Sequence, residues 1–182
     1  ESMNILLQKQ LVDRSKNVVD GKTLTLKCKE EKFAPFLKLV QSNDSPIVPE
    51  RIVHSLNRLL PKDAIICADP GTPCPYFSAY FLSDLPGRHF ITNRAHGALG
   101  YAMSAAIGAA IGRPNLKSVA VMGDGSFGFT VGELETITRR KLPILMIVIS
   151  NSVYGWIKAS QKSGYDKRYF SVDFERTDHA RV

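Results

Sequence analysis

Apolar positions along the chain fall into two regimes. Over residues 1–45, Lys, Gln, Asp and Ser dominate and apolar residues recur only weakly. "KTLTLKCK" (22–29) alternates with period two and reads as a short strand. "FAPFLKLV" (33–40) reads as a short helix, and "QSNDSP" (41–46) as a linker. Residues 1–45 are therefore expected to be a polar arm or linker from a preceding domain, and 46–182 a domain proper.

From Pro46 the pattern strengthens. "PERIVHSLNRLL" (49–60) places Ile52, Val53, Leu56, Leu59 and Leu60 on one helical face, with Pro49 tolerated in the first turn. "AIICA" (64–68) predicts a short buried strand, followed by "DPGTPCP" (69–75), a loop whose composition should exclude regular structure. "YFSAYFLSDL" (76–85) predicts a helix and "HFIT" (89–92) a short strand. "ALGYAMSAAIGAAIG" (98–112) predicts a helix of small residues that permits close packing. "SVAVM" (118–122) is a strand, and "TVGELETITRR" (130–140) a helix with Thr130 and Glu133 spaced as a capping box. "ILMIVIS" (144–150) is a further strand. Continuously apolar strands alternating with helices imply an α/β fold, a three-layer parallel sheet covered by helices on both faces. Such sheets bind ligands beyond the carboxyl ends of their strands. The loops after Ala68, Met122 and Ser150 are the places to look.

Composition narrows the class. The 182 residues, 44% hydrophobic, suffice for one domain with a real core. No apolar run reaches the ~18 residues of a membrane span, and "ESMNILLQKQ" lacks the pattern of a secretory signal. Three cysteines, Cys28, Cys67 and Cys74, form no C-x-x-C pair, which argues against a disulfide framework or zinc and for a reducing cytoplasm. Cys67 reads as core; Cys74 lies in a loop. The net charge of +7 raises nucleic acid. Its basic residues are scattered among acids, so a solvated face, or a domain that holds a polyphosphate, is the better reading.

"VMGDGSFGF" (121–129) contains Gly123, Gly125 and Gly128 in the Gly-x-Gly-x-x-Gly spacing of a dinucleotide site. Asp124 conflicts with that reading. Its carboxylate at ~4 Å from a bare pyrophosphate would cost about 4 kcal/mol at an effective dielectric of ~20. A divalent cation between the two reverses the sign. No carboxylate stands at the end of the next strand to hold a ribose, and no Gly-Lys-Ser/Thr follows the turn, which excludes a P-loop. If the strands at 118–122 and 144–150 are parallel neighbours, their ends lie about 5 Å apart. Asp124 and Asn151 then reach one ion, which with a backbone carbonyl, two diphosphate oxygens and water completes an octahedral magnesium site. Ser126 can donate to the diphosphate, and Gly123 and Gly125 let the backbone approach it. A tight strand-to-helix turn with no ligand remains the bland alternative.

"GDGS" followed by "SN", with "TNRAHGALGYAMSAAIGAAIGRP" before and "ELETITRRKLPILMIVISNSVYGWIK" after, resembles the thiamine-diphosphate motif of the acetolactate synthase and pyruvate oxidase group. The resemblance covers about residues 46–182, the diphosphate-binding C-terminal domain. It implies that Asp124 and Asn151 bind Mg²⁺ through side chains and Val153 through its carbonyl. Gly125 and Ser126 would hold the diphosphate of thiamine diphosphate, aided by Gly71 and Thr72. The Gly97 carbonyl would accept a hydrogen bond from the aminopyrimidine, and Leu99 would be the apolar wedge under the bent cofactor. Trp156 and Ile157 would lie near the substrate pocket.

Departures from the pattern are informative. Ser150 replaces the first Asn of the pair, a position that does not bind the metal in this family. "GTP" (71–73) replaces the Gly-Gln-His of acetolactate synthases, and Ile157 stands where pyruvate decarboxylases carry a catalytic glutamate. His96, within the cofactor segment, is a candidate for moving protons, although a structural or exposed role is the simpler reading. His54, His89 and His179 have no supporting constellation. The glutamate that activates the aminopyrimidine belongs to a separate pyrimidine-binding domain, which this chain does not display. The family continues past the position of Val182 with at least a strand and a helix.

The expectation is thus a fragment, or a subunit that needs a partner chain, inactive alone and part of a homodimer or larger assembly. Its substrate would be a 2-oxo acid, with carboligation resembling acetolactate synthase ahead of pyruvate-oxidase-like or decarboxylase-like activity. A non-catalytic cofactor-binding module is the second class. A nucleic-acid binder and a flavin or nicotinamide oxidoreductase are less favoured.

Overall fold

The structure is a computed structural model, and it describes residues 20–182. The opening stretch "ESMNILLQKQ" lies outside the described residues. The chain divides into two compact units, Glu1–Val48 and Pro49–Val182.

Within the first unit, α1 spans Gly21–Leu39. The strand expected over 22–29 is therefore helical. Its period-two leucines, Leu24 and Leu26, are both exposed and select no sheet face. A lone strand leaves its backbone groups unpaired, whereas a helix satisfies them within the segment. Asp20 caps the start by accepting from the Lys22 N–H at 3.1 Å. The helix expected over 33–40 is its continuation, with Pro35 in the interior.

In the second unit, α2 (Pro49–Leu59) leads to β1 (Ile65–Ala68), α3 (Pro73–Tyr80), β2 (Phe90–Ile91), α4 (Tyr101–Gly112) and β3 (Ser118–Gly123). Then come α5 (Asp124–Thr130), α6 (Glu133–Arg139), β4 (Ile144–Ile149) and α7 (Gly155–Gly164). The sheet is parallel throughout, in the order β2-β1-β3-β4. Alternate strand residues divide between its faces. Ile65, Cys67, Ala120 and Met122 pack with Ala102, Met103 and Ala106 of α4, Phe127 of α5 and Ile137 of α6. Ile66, Ala68, Val119 and Val121 pack with Val53 and Leu56 of α2 and Phe77 of α3. The central strands β1 and β3 are buried on both faces, which is why they read as apolar runs, whereas the edge strands β2 and β4 are only partly buried. Burial pushes the Cys67 thiol up to about 12, as expected of an inert core group.

Four local expectations change. The "DPGTPCP" segment does not stay irregular, because α3 begins at Pro73. Prolines suit a first helical turn, whose N–H groups have no intrahelical acceptor. The helix stops at Tyr80, short of the expected residue 85, where Asn57 of α2 receives the chain: its amide donates to the Tyr80 carbonyl and accepts from the Leu82 N–H. The single helix expected over 130–140 is two. Thr130 ends α5, and its hydroxyl is buried with no partner among the described residues, so the capping box does not form. Glu133 instead accepts from the Thr136 hydroxyl at 2.9 Å. Finally, Leu59, expected on the inner face of α2, is 79% exposed.

Gly100 precedes α4 at φ +86°, and a Cβ there would stand 2.6 Å from Cγ2 of Thr130. Gly108, inside α4, faces open space. Gly100→Ala should cost about 2–4 kcal/mol, the sum of left-handed strain and overpacking. Gly108→Ala should stabilise by about 0.5–1 kcal/mol through helix propensity. Urea denaturation of the two variants checks the opposite signs.

Candidate cofactor site

Parallel pairing puts the carboxyl ends of β1, β3 and β4 side by side. Ala68 pairs with Val121, and Gly123 with Ile149. A cleft of about 440 Å³ opens over these ends. Its lining includes Gly71 and Thr72 after β1, Gly97 and Leu99 before α4, Gly123, Asp124, Gly125 and Ser126 after β3, and Asn151 and Val153 after β4. Ten residues singled out from sequence thus share one wall. His96 is exposed and is not among the lining residues. Cys74 is buried against Ser78 and Thr92, out of reach of the cleft.

Asp124 is 6% exposed and first in α5. Its Oδ2 accepts from the Ser150 hydroxyl at 3.1 Å and from the Asn151 and Ser152 N–H groups at 2.8 and 2.6 Å. Its Oδ1 accepts only from the Gly125 N–H, at 2.8 Å. One oxygen thus ties the β3 end to the β4 end, and the other keeps acceptor capacity. No cationic side chain pairs with this carboxylate among the described residues. A buried carboxylate without a counter-charge suits a metal ion.

The loop after β4 is held from outside. Residues 172–174 return alongside it: the Tyr154 N–H donates to the Val172 carbonyl at 2.8 Å and the Phe174 N–H to the Ser152 carbonyl at 3.0 Å. Val172 is buried, and the Lys158 ammonium bonds the Asp173 carboxylate at 2.6 Å. Ser152 adopts φ +55°, which turns the chain so that Asn151 Oδ1 accepts from the Val153 N–H at 3.2 Å. Tyr154 lies over Gly125 so closely that a Cβ there would collide with its ring. Thr72 Oγ1 and Asn151 Nδ2 both border Gly155, 3.3 and 3.8 Å from where its Cβ would be.

Sequence reasoning passed over two charged residues. Arg94 lines the cleft from the loop after β2. Asp69, at the end of β1, is fully buried and accepts from the Tyr101 and Ala102 N–H groups at 3.2 and 3.4 Å, capping α4 from 32 positions away. Its only sequence signal was an acid directly after an apolar strand. Burial pushes the Asp69 carboxyl up to about 6, against the backbone hydrogen bonds of Ala102, Gly100 and Tyr101, which lower it.

These features define a doubly wound α/β domain with an oxygen-rich cleft at its strand ends. The family model of the thiamine pyrophosphate enzyme, C-terminal TPP binding domain, matches residues 69–182, and the chain belongs to that family. Acetolactate synthase large subunit of Porphyra purpurea is 36% identical over 131 residues, 72% of this chain and 22% of that protein. Sulfoacetaldehyde acetyltransferase of Castellaniella defragrans is 27% identical over 134 residues, 74% of this chain and 22% of that protein. Among solved structures, the Rhodococcus jostii RHA1 thiamine diphosphate-dependent 4-hydroxybenzoylformate decarboxylase superposes with a TM-score of 0.67 at 22% identity, covering 75% of this chain and 26% of that one. That likeness shows the fold. The chain spans about a fifth of the length of the curated relatives it matches. Among the described residues, no helix is long and apolar enough to cross a membrane.

Because folding raises the Asp69 pKa from 3.8 to about 6, the folded state holds a proton that the unfolded chain has released between those values. The resulting stabilisation is full below about pH 4 and fades as pH rises through about 6. Two units correspond to about 3 kcal/mol. Asp69→Asn removes the titration. Relative to the unsubstituted chain, the variant should gain roughly 1–3 kcal/mol between about pH 3.5 and about pH 7.5, read from urea unfolding at both pH values.

Proposed function

We propose that this domain holds the diphosphate of thiamine diphosphate through Mg²⁺, in an enzyme that acts on a 2-oxo acid in the manner of acetolactate synthase. The observation that carries this reading is the buried Asp124 carboxylate, paired with no cationic side chain among the described residues, at a strand end hydrogen-bonded to the loop of Asn151. Among the described residues there is no cluster of three or more His, Cys, Asp or Glu side chains. The chain therefore offers one carboxylate, one amide oxygen and one carbonyl, a hard-oxygen set that suits Mg²⁺ completed by diphosphate oxygens and water.

In this reading Asp124 and Asn151 bind the ion by their side chains and Val153 by its carbonyl. Gly123 and Gly125 present backbone to the phosphates, Ser126 and Thr72 offer hydroxyls, and Gly71 leaves room beside Leu99, whose Cδ2 lies 3.7 Å from where a Gly71 Cβ would be. Gly97, at φ +77°, would accept a hydrogen bond from the aminopyrimidine through its carbonyl, and Leu99 would be the apolar wedge for the cofactor. The bound cofactor supplies an electron sink for cleavage or formation of a bond next to a carbonyl. Trp156 and Ile157 line the cleft as apolar walls. Neither carries a carboxyl group to deliver a proton, which favours carboligation over simple decarboxylation. The activating glutamate and the pyrimidine-binding domain come from elsewhere in the same or a partner chain, in a homodimer or larger assembly.

Calorimetry on the full-length gene product tests this. Asp124→Asn should weaken thiamine diphosphate binding in Mg²⁺ by about 100-fold, and Asn151→Ala by about tenfold, equivalent to roughly 3 and 1.4 kcal/mol. EDTA should abolish binding to the unsubstituted protein. Binding indifferent to EDTA and to Asp124→Asn would sink the proposal, as would tight binding of a nicotinamide or flavin dinucleotide.

A further inference from the structure

The cleft has two charged side chains among its lining residues, Asp124 and Arg94. Asp124 is accounted for by the cation. Arg94 has no role in that scheme, and it forms no ion pair among the described residues. Its backbone is nonetheless fixed. The His96 and Gly97 N–H groups donate to the Asn93 carbonyl at 3.0 and 2.8 Å, and the Asn93 side-chain amide donates to the Ala98 carbonyl at 3.1 Å. A closed turn thus presents a free guanidinium at the rim of the cleft.

The sheet order says which part of the cleft this is. Arg94 follows β2, and β1 lies between β2 and β3. The two strand spacings put the β2 end about 10 Å from the β3 end where Asp124 starts. The phosphate side is already served by Gly71 and Thr72 after β1, by Gly123, Gly125 and Ser126, and by the cation site. On the β2 side, the lining beside Arg94 includes Pro70 after β1 and Gly97 and Leu99 of its own loop, whereas the apolar Trp156 and Ile157 follow β4, beyond β3. An organic anion entering there has no other cationic side chain of this cleft to meet, and an unpaired anion against apolar walls is costly.

We propose that Arg94 is the binding residue for the anionic group of the organic substrate, a carboxylate or comparable acid, and not for the diphosphate of the cofactor. The inference rests on the proposed thiamine-diphosphate reading of the same cleft. A guanidinium presents paired N–H donors to two oxygens of such a group, which a lysine ammonium cannot match. On an acid remote from the reacting bond the grip is as strong in the ground state as in the transition state, so it acts on KM and leaves kcat nearly unchanged; on the reacting carboxylate, whose charge is lost as CO2 leaves, it is stronger in the ground state, and its removal raises kcat along with KM.

The test uses the full-length gene product with Arg94→Gln and Arg94→Lys. Substrates are a 2-oxo acid with an uncharged tail and one of equal length with a terminal carboxylate. Thiamine diphosphate affinity in Mg²⁺ is measured separately by calorimetry. Arg94→Gln should raise KM by about 10- to 100-fold, the loss of a charge-assisted pair, with kcat within about threefold where the bound acid is remote from the reacting bond. Arg94→Lys should recover part of that loss, and the cofactor Kd should stay within about twofold. A rise for both substrates assigns the reacting carboxylate to Arg94, and a rise for the acidic tail alone assigns the second acid; both support the proposal. Unchanged KM for both substrates overturns it, as does a cofactor Kd weakened in step with KM. Failure of the unsubstituted protein to bind thiamine diphosphate removes the underlying reading, a result distinct from normal turnover with an indifferent Arg94.

Discussion

The hydrogen bonds that Asp124 Oδ2 accepts from Ser150, Asn151 and Ser152 are the constraint on which the site depends. Parallel strands have no turn to join their ends, so loops that leave the sheet side by side are free to diverge. Here a buried charge locks one loop to the next. Hydrogen bonds to a charged acceptor contribute about 1.5–3 kcal/mol each. The tie also sets the separation of the proposed Asp124 and Asn151 ligands before any cation arrives, which is the preorganisation that a small hard ion requires.

Asp69 does comparable work one strand away, with a different outcome. Both acids directly follow buried strands, and both accept backbone N–H groups from another segment. Asp69 is sealed beneath α4, where desolvation dominates and holds its carboxyl near 6. It fixes the start of the helix whose preceding loop carries Gly97 and Leu99. Asp124 sits at the cleft wall, with an oxygen to spare. Two carboxylates at neighbouring strand ends thus divide into one that positions the frame and one that the proposed cation completes.

Much of this was legible in the chain. The strands at Ile65–Ala68 and Ser118–Gly123 announced themselves because burial on both faces leaves them almost wholly apolar, and Ile144–Ile149, though only partly buried, is apolar throughout. The conflict between Asp124 and a bare pyrophosphate was a statement about charge, which needs no coordinates. Less legible were segments whose state depends on what lies beside them. Leu24 and Leu26 alternate as strand residues do, but no neighbouring strand pairs with them, and the segment is helical. Thr130 had the spacing of a cap, but α5 extends through it and leaves α6 to begin at Glu133.

Residue types and their order along the chain determined the α/β class, the parallel sheet and the loops where chemistry belongs, because periodicity and burial are local signals. Only the tertiary structure decided that ten residues from four loops line one cleft, that Asp69 caps a helix 32 positions away, and that Arg94 reaches the same cleft unpaired. The reason is strand order. Sequence states that β2 and β3 exist, but it does not state that β1 lies between them. That placement leaves one strand between the loop of Arg94 and the strand end that carries Asp124.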